Sequence, residues 1–355
     1  MKVSIGSKII EGPWGGGNLF AINLKNYLEN NGIEVVTDLK DDDIDIILMT
    51  EPRLTSPSSA FTHLDVYKYL HYVKRDSIVV HRVNECDEKR IDPLKNKRNQ
   101  HFVNKYIIGA NKVADFTIFV STWLKDLYIK QGIESKKFNV ILSGSDSKIF
   151  NQNNKSKWNK KDTLKIVTHH WGANWNKGFE YYLLLDNLIK KNYFDVNIEF
   201  TYIGNVPKNI EFKNTTLIAP LSGLDLAEKI KENHIYITGS INEPSGNHHI
   251  EAAQCGLPIL FINSGGIPEY CLGYGEMFNE TNFQEKLETI IRNYDLYFES
   301  LKNYDKSSEK MCKEYSDLFE NLLQNKKEIL KKRSLNFNKS KFSKKMYMYK
   351  NKFTK

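Results

Sequence analysis

Cysteine is scarce in this chain: four in 355 residues, at Cys86, Cys255, Cys271 and Cys312. None forms a Cys-x-x-Cys pair or a zinc-type spacing, which excludes a disulfide framework and a zinc ribbon. Few, scattered cysteines suit a reducing compartment, and a cytoplasmic protein is expected. No stretch approaches the roughly 18 consecutive apolar residues of a membrane-spanning helix. The N-terminus, Met1-Lys2-Val3-Ser4-Ile5-Gly6, has no signal-peptide pattern. An Asp-x-Asp motif in a place suited to metal binding is also lacking. The acidic run Asp41-Asp42-Asp43-Ile44-Asp45 leads into a strand, which it is expected to cap.

What is present is an ordinary globular composition, 40% hydrophobic and 26% charged. A chain this long exceeds one ordinary core and suits two domains of about 150 residues each. The net charge of +8 is unevenly spread. Residues 326–355 hold twelve Lys or Arg and one acid, Glu328, so the tail carries +11 and the body is slightly acidic at −3. An anionic partner is therefore a question for the tail alone.

Short β-rich apolar runs alternate with longer helical stretches, the pattern of a parallel sheet with crossover helices. In the first half, strands are predicted at Val3–Ile5, Glu34–Thr37, Ile44–Met49, Ser77–Val80, Phe116–Val120 and Val140–Leu142, with helices at Asn18–Asn30 and Thr122–Lys130. The polar segment Asn151–Asp162 reads as a surface linker. Beyond it the rhythm restarts: strands at Leu164–Thr168, Ile198–Ile203, Ile235–Thr238 and Pro258–Ile262, with helices at Phe179–Lys190, Leu224–Lys231, His248–Gln254 and Asn282–Tyr294. The architecture expected is α/β: two Rossmann-like domains facing each other across a cleft. Their bounds are 1–155 and 160–325, followed by a basic tail, 333–355, expected to be disordered.

The most informative segment is Glu243-Pro-Ser-Gly-Asn-His-His-Ile-Glu251-Ala-Ala-Gln-Cys-Gly-Leu-Pro258, between an apolar strand and a helix. A Pro-Ser-Gly turn ahead of a helix leaves backbone N–H groups free at its positive end, an anion site formed by Gly246, Asn247 and His248. Glu251 lies one to two turns into that helix, where a carboxylate could accept hydrogen bonds from a ribose diol. A second glycine cluster, Gly12-Pro-Trp-Gly-Gly-Gly-Asn18, follows the first strand; Gly16 and Gly17 would let a ligand approach the backbone closely.

Two glutamates separated by seven residues, followed by Ala-Ala-Gln-Cys-Gly-Leu-Pro and then by Ser264-Gly-Gly-Ile-Pro-Glu269, resemble the retaining glycosyltransferases of family 4, which have the GT-B fold. The likeness extends to Ala114–Lys125 and to Lys177-Gly178, and covers most of residues 1–280. It implies that Glu251 binds the donor ribose, that Glu243 lies near the sugar and diphosphate, and that Lys177 neutralises charge on the leaving diphosphate. The family's arginine five or six residues before that lysine is missing here, where Gly172 and Trp171 stand; His169, His170 or Arg82 could replace it. The family's Asn-Gly-Val-Asp turn reads Ser143-Gly-Ser-Asp146. In Val80–Asp87, Asn84 takes the place of a cleft histidine, and strand alternation puts Arg82 and Asn84 on one side. An Arg-x-Asn pair could grip an acceptor hydroxyl or a phosphate, and a capped strand end accounts for the same residues equally well.

The expected reaction is transfer of a sugar, with retention, from a nucleotide-diphosphate sugar to a hydroxyl on a glycan or lipid-linked glycan. No cofactor and no metal are expected. The basic, aromatic tail could dock on an anionic membrane surface at the inner face of the membrane, and no nucleic-acid partner is expected. An inactive nucleotide-sugar-binding relative and a GT-B-fold epimerase are the alternatives.

Overall fold

The computed structural model describes all residues except 11–14, 91–101, 135–136 and 336–355. Gly12, Pro13 and Trp14 of the glycine loop, and the tail beyond Leu335, therefore lie outside the described residues. The chain divides into two compact units, one within residues 1–85, 101–141 and 311–355, the other within 86–100 and 142–310.

The first unit holds β1 (Lys2–Ile5), α1 (Gly15–Asn30), β2 (Glu34–Val36), β3 (Ile46–Met49), α2 (His63–Tyr72), β4 (Ile78–Val83), α3 (Val103–Asn111), β5 (Phe116–Phe119), α4 (Thr122–Lys130) and β6 (Phe138–Val140). Its six strands are all parallel, in the order β2-β1-β3-β4-β5-β6. Helices cover both faces of such a sheet, so β3 and β4 are buried at every position, which is why Ile-Ile-Leu-Met and Ile-Val-Val-His-Arg-Val run without alternation. On α1 the residues Phe20, Ala21, Leu24 and Leu28 form the buried stripe.

The second unit holds β7 (Leu164–His170), α5 (Phe179–Lys190), β8 (Ile198–Gly204), β9 (Thr215–Ile218), α6 (Gly223–Lys231), β10 (Ile235–Thr238), α7 (Asn247–Gln254), β11 (Ile259–Ile262), α8 (Ile267–Cys271), β12 (Gly275–Phe278), α9 (Phe283–Arg292) and α10 (Tyr294–Ser300). Its strands run β12-β11-β10-β7-β8-β9, all parallel. Renumbered from β7, that is the Rossmann order, which reverses direction between β7 and β10. The core beneath it is rich in aromatics, among them Phe179, Tyr182, Phe200, Tyr202 and Tyr236. Two of its strands, β9 and β12, have no counterpart among those expected from the sequence, and both lie at the sheet edges.

The C-terminal helices α11 (Ser308–Gln324) and α12 (Lys326–Lys332) complete the described chain. From Met311 on they count with the first unit, where Met311, Cys312, Tyr315, Phe319 and Leu322 join the core of β1, β3 and α1. The domain bounds therefore differ from the expected 1–155 and 160–325, because a helical stripe finds its apolar partner far back in the sequence. The start of the tail shifts as well. The Arg333 side chain is 7% exposed and reaches Asp115 with Nη2 at 2.5 Å and Nε at 2.8 Å, so this residue belongs to the fold. Among the described residues, no helix is long and apolar enough to cross a membrane.

Candidate functional site

The reversal of strand order in the second unit leaves an opening at the C-terminal ends of β7 and β10, where open α/β sheets bind ligands. The segment after β7 turns through a short 3-10 helix, Trp175–Lys177, and ends at Gly178 with φ of 100°. A side chain at Gly178 would strike the Gly239 backbone, its Cβ 2.6 Å from Gly239 Cα. The two loops therefore meet through glycines, and the Ile241 amide closes on the Asn176 carbonyl at 2.8 Å. This contact carries Lys177 to the loop after β10.

There Lys177 Nζ donates to Glu243 Oε2 at 2.6 Å. A second ammonium, Lys89 Nζ, lies 3.7 Å from Glu243 Oε1. Lys89 comes from the 3-10 turn Glu88–Arg90, in the part of the chain between 86 and 100 that joins this unit. Burial opposes a charge on Glu243, but the two ammoniums hold its carboxyl well below the usual carboxylate range. The ionised carboxylate is thus a fixed element of the site. Its backbone is fixed too: the Gly266 amide donates to the Glu243 carbonyl at 2.9 Å, and a side chain at Gly265, φ of 65°, would run into the Glu243 backbone. Here lies the physical use of Ser264-Gly265-Gly266, since Ser264 Oγ also accepts from the Asn242 amide at 2.9 Å.

Gly246 caps α7 with φ of 78° and offers no side-chain hydrogen bond to its first turn. The leading N–H groups, from Asn247 onward, are left uncapped by any side chain, the arrangement that favours an anion. A Cβ on Gly246 would come within 2.8 Å of the His248 ring and 3.0 Å of Glu243 Cγ and the His249 ring. Glycine is therefore the residue that fits. His248 Nε2 pairs with Thr238 Oγ1 at 2.9 Å. Burial, then the neighbouring charges, push His248 well below its usual range, and burial brings His249 down to about 3. Further along α7, Glu251 Oε2 meets His169 Nε2 at 2.8 Å.

His170, expected at the donor site and as a stand-in for the missing arginine, pairs with Tyr182 Oη at 2.6 Å. Burial, followed by the charge on Lys177, holds it well below its usual range, so it is a neutral imidazole and supplies no cation. Lys89 is a residue that no sequence pattern singles out. It sits in no motif, and nothing local marks a lysine 154 residues before Glu243 as its neighbour. Among the described residues, the four histidines and two glutamates here form no set of three placed to hold a metal ion.

The first unit places its expected residues differently. Gly16 and Gly17 are exposed in the first turn of α1, and a Cβ on Gly17 would meet nothing within 4 Å. Asn18 holds Ile10, accepting from its amide at 3.0 Å and donating to its carbonyl at 2.7 Å. Arg82 is 4% exposed, with its guanidinium 3.8 Å from the centre of the Phe20 ring on α1. Asn84 is half-buried just past β4.

The structure is similar to several solved glycosyltransferases. One is a glycosyltransferase from Rickettsia africae, with 14% identity and a TM-score of 0.64 over 91% of this chain and 99% of that one. HepE of Anabaena, solved with UDP-glucose, has 13% identity and a TM-score of 0.64 over 91% of this chain and 100% of that one. Sucrose-phosphate synthase from Thermosynechococcus elongatus has 12% identity and a TM-score of 0.60 over 91% and 99%. No protein-family model matches the chain, and no curated protein matches its sequence. The two six-stranded parallel sheets with flanking helices are the GT-B fold.

Proposed function

We propose that the chain is a retaining glycosyltransferase of the family 4 type, moving a sugar from a nucleotide-diphosphate sugar to a hydroxyl of a glycan or lipid-linked acceptor. The observation that carries this reading is the Lys177–Glu243 pair at 2.6 Å beside the uncapped start of α7, with Glu251 further along the same helix. The diphosphate lies at the α7 N–H groups of Asn247 and His248, and the ribose hydroxyls meet Glu251. HepE solved with UDP-glucose, and starch synthase IV solved with ADP and acarbose, support a nucleotide-sugar donor.

In the reaction, the bond between the sugar's anomeric carbon and the β-phosphate oxygen breaks, and its electron pair stays on the phosphate. The acceptor oxygen bonds to the anomeric carbon on the same face, and its proton passes to the departing phosphate oxygen. Lys177 and the α7 N-terminus stabilise the charge that grows on the diphosphate. Asn84, half-buried just past β4, is proposed on the acceptor side, while Arg82 is held in the core over Phe20. Neither a cofactor nor a metal takes part, so turnover is expected to persist in excess EDTA; its complete loss there would remove that claim.

The deciding experiment is calorimetric titration with UDP, GDP and ADP of the wild type and of Glu251→Ala, followed by donor turnover. Binding of one nucleotide, lost in the variant, with transfer or slow donor hydrolysis, supports the enzyme. Binding without release of nucleotide would favour a binding protein, and no binding at all would leave only the fold. The tail is proposed to attach the protein to anionic membranes at their cytoplasmic face, at about 1 kcal/mol per basic residue. Because Arg333 is part of the fold, the comparison is between the full chain and one ending at Leu335. Equal sedimentation with anionic vesicles would refute the attachment.

A further inference from the structure

We infer that His169 is a positioning residue for the ribose of the donor: it holds the Glu251 carboxylate so that its second oxygen is presented to the ribose hydroxyls. The inference rests on the nucleotide-sugar reading of the site. Three elements converge to make the contact. His169 is the penultimate residue of β7, Glu251 lies in the middle of α7, and Tyr236 is the second residue of β10.

Tyr236 is fully buried and fixes His169 from two sides. Its hydroxyl accepts from the His169 amide at 3.1 Å and lies 3.3 Å from the His169 carbonyl, while the two rings meet edge to face at 5.5 Å. On the other side, His169 is paired with Ile203 of β8. The ring thus has little freedom. Its Nδ1 is buried with no hydrogen-bond partner, whereas Nε2 has the Glu251 oxygen at 2.8 Å, so the tautomer that satisfies the site carries its proton on Nε2 and donates it to Glu251.

A carboxylate has about four lone-pair positions. On Glu251 the hydrogen bond to His169 occupies Oε2, and Oε1 is not among the fully buried atoms that lack a partner. An unrestrained glutamate would rotate about its last torsion and spread both oxygens over many directions. The imidazole removes that freedom before the ligand arrives, which is how a preorganised acceptor gains discrimination for a diol. A purely structural His169 would support the fold and leave discrimination at the ribose unchanged.

The test uses the full chain and whichever of UDP, GDP or ADP binds, together with its 2′-deoxy and 3′-deoxy forms. The wild type is expected to favour the ribo form over at least one deoxy form by about tenfold, the worth of a hydrogen bond to a charged group. In His169→Leu that ratio falls toward one while the affinity for the deoxy form stays within about twofold. His169→Gln, whose amide nitrogen occupies the Nε2 position, restores most of the ratio. If the leucine variant does not fold, His169→Asn serves instead, since its amide falls at the Nδ1 position and cannot reach Glu251. A ratio kept in His169→Leu or His169→Asn, with Glu251→Ala losing it, overturns the inference alone. No ratio in the wild type, or an unchanged ratio in Glu251→Ala, overturns the donor-site reading and the inference with it.

Discussion

Each sheet reverses its strand order once, between β1 and β3 in the first unit and between β7 and β10 in the second, and the two reversals are furnished in opposite ways. At the second, polar and charged groups are concentrated: Lys177 and Lys89 on the buried Glu243, His169 on the buried Glu251, and an uncapped helix start. At the first, the chain offers glycine backbone at Gly15–Gly17, and the nearby arginine, Arg82, is packed over Phe20 in the core. One unit gathers ion pairs beside an uncapped helix start, where a diphosphate is proposed, and the other has exposed backbone with room beside it. A fold that repeats its architecture need not repeat its chemistry, because the sheet supplies the opening while individual loop residues supply the charge.

The comparison breaks most readily at Lys177. Lys177→Ala is expected to lower donor turnover by about 10²- to 10³-fold, the usual effect of removing one group that stabilises transition-state charge. Turnover within about threefold of wild type would end the claim that the second unit does the electrostatic work. The first unit's own buried ion pair should behave differently. Arg333→Ala leaves Asp115 buried without its guanidinium and should cost about 3 kcal/mol of stability, read as a lower melting temperature, with kcat retained in the folded fraction. An unchanged melting temperature would show that Arg333 is not part of the fold in solution.

Acid should separate the units further. His170 and His248 lie well below their usual range, and His249 drops from 6.5 to about 3, all in the second unit. In the first, burial brings His81 down to about 3 and lowers His63 as well. Above 6.5 these groups are neutral whether folded or not. Below it the unfolded chain takes up protons that the buried rings refuse, so stability falls as the pH drops from about 6.5 toward 3, by up to about 1.4 kcal/mol per pH unit for each. Amide exchange at pH 7 and pH 5 should therefore show β7 and β10 losing protection before β3 and β4. Equal losses in both sheets would contradict it. The smallest effect is expected at Gly17→Ala, which meets no atom and should leave stability unchanged or raise it by about 0.5–1 kcal/mol. Turnover should fall nonetheless if ligand approaches that backbone, and unchanged turnover would place α1's first turn outside the site.

Much of the second unit is legible in the sequence. α5 and β10 fall at the expected residues, and α7 starts one residue early, because each carries a complete local pattern bounded by turn residues. The two missed strands are edges. Thr-Thr-Leu-Ile of β9 and Gly-Glu-Met-Phe of β12 are largely half-buried or exposed, so they lack the apolar run that marks a central strand. In the first unit, β6 starts at Phe138 where the pattern points to Val140, for the same reason: an edge strand has weak boundaries.

The sequence by itself determined the two α/β halves, the glutamates that flank the start of α7, and the glycines at the β–α turns. These follow from periodicity and backbone chemistry within a dozen residues. Tertiary structure alone decided that His169 meets Glu251 across 82 residues, that Lys177 meets Glu243 across 66, and that Arg333 closes on Asp115 across 218. It also decided that Arg82 lies over Phe20 and that the last helices return to the first core. The reason is physical: a side chain's partner is set by which strand ends the sheet order brings together, and that order is a property of the packed chain that no local stretch contains.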